Sequence, residues 1–207
     1  MEAAKFDLDN AWAGLAEMIG WIIALFGAPG TIAAHIGLTR RTRAQLLAWL
    51  APLEALARRL LFIEAASLPA PNAPAPFAPR GRIVSALRDA PCIEPPEDSA
   101  LWRVMFRVAP GSPAASPRNA GAGSARPRSG FPGANAAPLA RRLEALLRLA
   151  QNRAAALARL ARRLHAAPAR TANAFAPYRH PARACENLLA AAQACADRLR
   201  RRYADTT

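Results

Sequence analysis

The stretch that decides the fold is DLDNAWAGLAEMIGWIIALFG, residues 7–27. Leu8, Trp12, Leu15, Ile19, Ile22 and Phe26 recur in it every three or four residues, a spacing that lays them along one stripe of an α-helix. Asp7 or Asp9 offers an N-cap oxygen, and acids in the first turn suit the positive end of the helix dipole. Gly27, followed by Pro29 and Gly30, supplies the stop. A short helical turn is expected over residues 31–36, closed by Gly37.

A second helix is expected to begin near Thr39 or Thr42, where Thr42 to Gln45 matches a capping box, and to run to about Ala66. Leu46, Leu50, Leu53, Ala57, Leu60 and Leu61 form its apolar stripe, with Ala48, Ala51, Ala55, Arg58 and Arg59 on the far side. Pro52 has no N–H for the Ala48 carbonyl. It should therefore kink this helix or open a new one that carries a Glu54–Arg58 pair. Either way, residues 7–27 pack on residues 39–66 as a helical hairpin.

Prolines at 69, 71, 74, 76 and 79 end the helical pattern and read as an extended linker. Farther on, Trp102, Val104, Phe106 and Val108 alternate with Arg103, Met105 and Arg107, the period-two pattern of a short strand, for which residues 82–84 are the expected partner. Residues 109–136 hold no acid and one aromatic, Phe131, too little apolar surface to offset the entropy of ordering, so disorder is expected there.

Pro138 then opens what reads as one long helix to about His165. Leu139, Leu143, Leu146, Ala150, Ala154, Leu157, Ala161 and Leu164 lie on one stripe, and Arg141, Arg148 and Arg159 project opposite. Residues 181–204 repeat the design, with Cys185, Leu188, Ala192, Cys195, Leu199 and Tyr203 on one side and Arg183 and Arg201 on the other, after breaks at Pro168, Pro177 and Pro181. The expected fold class is mainly α: helical hairpins in residues 1–67 and 137–207, separated by a Pro-rich linker with a short β-ribbon in 68–108 and a disordered Ala/Pro/Gly/Arg segment in 109–136. Whether the hairpins touch is open at this level.

The chain has 207 residues, which excludes a large multidomain enzyme, and Lys+Arg exceed Asp+Glu by 28 to 14. Lys5 is the one lysine, a bias that GC-rich codons explain without function. The scarcity of acids has no such explanation. Residues 1–68 are neutral, whereas residues 137–207 hold fourteen Arg against four acids, so the basic character belongs to the C-terminal third.

No nucleophile with a base, carboxylate pair or phosphate loop stands at working spacing, and no cofactor is implied. Gly27 to Gly30 lacks the Gly-Lys-Ser/Thr ending and follows a helix, so it reads as a cap and turn. His35, His165 and His180 lie in separate segments without a metal-ligand run. Cys92, Cys185 and Cys195 make no pair at metal or redox spacing. Cys185 and Cys195 read as packing residues, and acids flank Cys92. No positive segment precedes an apolar run at the N-terminus, so a cytoplasmic location is expected.

Three functional readings follow. The leading one is a non-enzymatic helical protein that acts through association with a protein partner or itself. The second is nonspecific contact with nucleic acid or another polyanion. It would use Arg141, Arg148, Arg159, Arg162 and Arg163 in the long helix, and Arg198, Arg200, Arg201 and Arg202 near the C-terminus. The bland alternative is a solvated face, since Ala and Arg alone offer little that reads bases. The third is a membrane association: Met18 to Ala34 carries no charge, but Gly27 to Gly30 divides it short of the ~20 residues a span needs, which favours a buried core helix.

Overall fold

The computed structural model describes residues 7–34, 38–69, 98–108, 136–175 and 186–204. It is mainly helical, with no strand among these residues. The helices are α1 (Leu8–Phe26), α2 (Pro29–Ala34), α3 (Arg40–Ser67), α4 (Ala137–Gln151), α5 (Ala154–Ala166), α6 (Pro168–Asn173) and α7 (Glu186–Ala204), with a 3-10 turn at Ser99–Leu101. The expected partner strand 82–84, the segment 109–135, Cys92, Cys185, Arg183, His35 and His180 lie outside the described residues.

α1 forms as its spacing dictates. Asp7 accepts from the Asn10 amide at 3.1 Å, and Gly27 ends the helix at φ 93°, its N–H returning to the Ile23 carbonyl. Trp12, Leu15, Ile19 and Ile22 are buried, with Ala11 beside them, while Leu8 and Phe26 close the stripe half-buried. α3 is capped by Thr39, which accepts from the Thr42 amide at 3.1 Å. Thr42 is thus the capped residue, not the first member of a capping box. The helix continues through Pro52, which is buried within it.

α3 is the axis of the molecule. α1, α4, α5 and α7 all pack on it, so both halves of the chain share one core. Leu46, Leu50, Leu53, Ala57, Leu60 and Leu61 are fully buried. The far side expected to face solvent is not uniform: Ala55 is 4% exposed and Arg59 5%. A helix with neighbours on several sides has no single wet face.

The long helix expected over residues 138–165 is two helices. It breaks at Asn152, whose φ −145° and ψ 91° are extended, and restarts after Arg153. Asn is a weak helix former, and Arg153 is held from outside by Asp9 and Glu64. Ala154 on the expected stripe is consequently exposed. The C-terminal helices do not form a hairpin on a seam of their own: α5 and α7 both pack on α3, with α6 between them. On α7 the buried residues are Leu189, Ala192 and Ala196, while Leu188, Cys195, Leu199 and Tyr203 are half-buried.

Residues 102–108 keep the expected alternation, with no strand partner among the described residues. Trp102, Phe106 and Val108 are buried, and Arg103, Met105 and Arg107 point out. The apolar side packs into the shared core.

Candidate functional site

Two surfaces stand out, one charged and one apolar. The first is built around residues 102–108, which arginines strap at both ends. Arg148 donates from Nη1 to the Trp102 carbonyl at 2.9 Å and from Nη2 to the Ser99 carbonyl at 2.6 Å. Its Nε also donates to Glu144 at 2.6 Å. At the other end, Arg58 donates from Nε to the Arg107 carbonyl at 3.1 Å and lies 5.4 Å over the Phe106 ring.

Beside the strap, a depression of about 500 Å³ lies between it, α3 and the start of α4, with Arg58, Arg107, Arg141 and Arg142 on its walls. Its one acid, Glu54, accepts from Arg142 Nε at 2.7 Å, Arg142 Nη2 at 3.0 Å and Arg58 Nη2 at 3.2 Å. The hydrogen bond that Arg142 donates to Glu54 holds the guanidinium pKa above its ordinary value, the attraction outweighing the cost of burial. A second depression of about 340 Å³ shares Met105, Phe106 and Arg107 with the first and adds Arg159 and Arg163. Among the described residues, no acid pairs with the side chains of Arg107, Arg159 or Arg163.

Of the arginines singled out by sequence, Arg141, Arg148, Arg159 and Arg163 meet at this groove. Arg148 is also committed to internal contacts. Arg162 is exposed outside it and donates to the Ala158 carbonyl at 3.1 Å. Arg198, Arg200, Arg201 and Arg202 lie apart on α7, where Arg200 approaches Asp197 at 3.9 Å and Arg201 donates to the Asp197 carbonyl at 3.4 Å.

Sequence reading did not find Arg58, Arg107 and Arg142 as groove residues. A signal existed for Arg142: it sits three residues after Leu139 and four before Leu146, on the apolar stripe, where a cation requires a partner.

The second surface is the outer side of α1. Trp21 is 58% exposed and Leu25 64%, and Gly20, Ala24 and Ala28 are exposed beside them without a charged residue from Met18 onward. A Cβ built on Gly20 meets nothing within 4 Å, so no contact within the described residues requires glycine there. Leu8–Ala34 contains an 18-residue window of mean hydropathy 1.6, of which 28% is buried.

Among the described residues no three His, Cys, Asp or Glu side chains gather as a metal-ligand set. Comparison with protein families, curated proteins and solved structures gives no match to the chain.

Proposed function

We propose that this is a non-enzymatic helical protein that acts by association, and that the partner its α1 surface fits is a second copy of the chain. The observation that carries this reading is the exposed, uncharged face formed by Gly20, Trp21, Ala24, Leu25 and Ala28. Such a face gains from meeting another apolar face, and a twofold pair brings it against its own equal. Glycine inside a helix costs about 1 kcal/mol relative to alanine. With open space over Gly20 in the single chain, close approach of a second helix gives that cost a use.

Light scattering across a concentration series tests the reading. The expected result is a mass twice the 22.0 kDa of one chain, reduced to a single chain in Trp21→Ser/Leu25→Ser. A single-chain mass for the unaltered protein at every concentration would overturn it.

A second reading, contact with a membrane surface, is favoured by the hydropathy of Leu8–Ala34 and by Arg40, Arg41 and Arg43. The Trp12–Glu64 hydrogen bond sets α1 antiparallel to α3, which brings those arginines to the same end as Trp21 and Leu25. Sedimentation with anionic vesicles, in which Trp21→Ser/Leu25→Ser stays in solution while the unaltered chain pellets, would select it over self-association.

A further inference from the structure

We propose that the groove along residues 103–108 is a binding track for a phosphodiester backbone, that is, for nucleic acid held without sequence preference. This stands apart from the α1 face. The two depressions meet at Arg107, and between them the linings supply Arg58, Arg107, Arg141 and Arg142 on one side and Arg159 and Arg163 on the other. A smaller recess of about 110 Å³, with Arg148 and Arg159 in its wall, joins the same strap. Glu54 is the single acid in these linings, and it is already shared by Arg58 and Arg142.

The ligand class follows from the layout. Guanidinium groups fit phosphate oxygens in a fixed fork, and here they are strung along an extended segment instead of converging on one point. That suits repeated charges on a chain better than one compact anion. Apart from the arginines, Glu54 and Asn152 are the polar side chains in the linings, too few to read base edges or a peptide's side chains. Met105, 68% exposed at the middle of the strap, offers an apolar contact for a sugar or base.

The local fold holds the edge of the groove in place. Phe106 and Trp102 anchor the strap in the core, while Arg58 and Arg148 hold its carbonyls, so the outward residues are presented on a fixed edge. Presenting charges in advance lowers the ordering cost of binding.

The test uses fluorescence anisotropy of labelled 20-mer DNA and RNA, single- and double-stranded, with the full chain over a salt series. Arg107→Ala/Arg159→Ala/Arg163→Ala is compared with Arg198→Ala/Arg201→Ala/Arg202→Ala, which removes the same charge from α7. Expected are salt-sensitive binding, a loss of about tenfold or more in the groove variant with a duplex salt slope lower by about 2 to 3, and a loss of less than about threefold in the α7 variant.

Equal losses in the two variants would overturn the groove. So would inorganic phosphate or poly-glutamate competing as well as DNA at equal charge, since that would show a compact-anion site or an acidic-protein site. Arginine footprinting of the unaltered chain with phenylglyoxal keeps the question open to refutation if the groove variant unfolds: the 20-mer should shield Arg107, Arg159 and Arg163 in preference to Arg198 and Arg201. Absence of that preference contradicts the proposal.

Discussion

Arg153 donates from Nε to Oε1 of Glu64 at 3.0 Å, linking the break between α4 and α5 to the last turns of α3. The same carboxylate accepts from Trp12 Nε1 at 2.9 Å, and the Arg153 guanidinium lies 5.2 Å over the Trp12 ring. One acid thus joins α1, α3 and the α4–α5 junction. Glu64→Ala strands the indole N–H and leaves the Arg153 guanidinium to Asp9, at the longer distance of 3.7 Å. Because Arg153 is about one-third exposed, water compensates part of the loss. A destabilisation of about 1–3 kcal/mol is expected by urea unfolding, and Glu64→Gln should recover part of it.

Glu54 is the corresponding link between α3 and the first turns of α4. Its side chain is 12% exposed, whereas Arg142 and Arg58 reach solvent. Glu54→Ala removes the shared acceptor and should cost about 2–3 kcal/mol, while Arg142→Met, which takes away a cation of similar length, should cost less. A double-mutant cycle on urea midpoints measures the coupling. Additivity of the two changes would show that the pair contributes nothing.

The extent to which the sequence reveals this fold depends on how far apart the cooperating residues lie. α1, an acidic N-cap at Asp7 or Asp9 and the Gly27 stop are legible because every determinant falls within a few turns. The alternation of residues 102–108 was legible as a two-sided extended segment, though not the helices that cover its inner side. Periodicity treated α3 as one-sided, and the burial of Ala55 and Arg59 escaped it. Arg59 is satisfied by the Ala55 carbonyl at 2.8 Å and by Gln193 Oε1, a partner on α7 that no local pattern indicates. The Asn152 break was hidden because apolar spacing continues across it. The arginines of α4 and α5 were visible as a basic face, but the groove also takes Arg58 from α3 and Arg107 from the strap, and only tertiary contacts bring these together.

Phe62 is fully buried and stacks on Phe175 with ring centroids 4.7 Å apart, and Tyr203 of α7 stands 6.4 Å away. Phe62→Ala opens a cavity beneath the end of α6 and α7 and should cost about 3–5 kcal/mol. Hydrogen exchange should show amides of α7 losing protection to a greater degree than those of α2, which packs on α4. Uniform loss along the chain would mean that the rings do not secure α7.

Gly20→Ala should stabilise the single chain. The added methyl meets nothing within 4 Å, and alanine is favoured over glycine in a helix by about 1 kcal/mol. Urea unfolding at a concentration low enough to keep chains apart measures the gain. Gly14→Ala should gain less, because its Cβ would come within 3.4 Å of Leu188.

The most direct measurement of association is the solution mass of Gly20→Leu beside the unaltered protein. A Cβ at this position meets nothing within 4 Å in the single chain, whereas the larger side chain blocks close approach of a second α1. The unaltered protein is expected at twice the 22.0 kDa of one chain and Gly20→Leu at 22.0 kDa, with equal helical content by circular dichroism. A paired Gly20→Leu, or an unaltered protein that stays single at every concentration, would contradict self-association through this face.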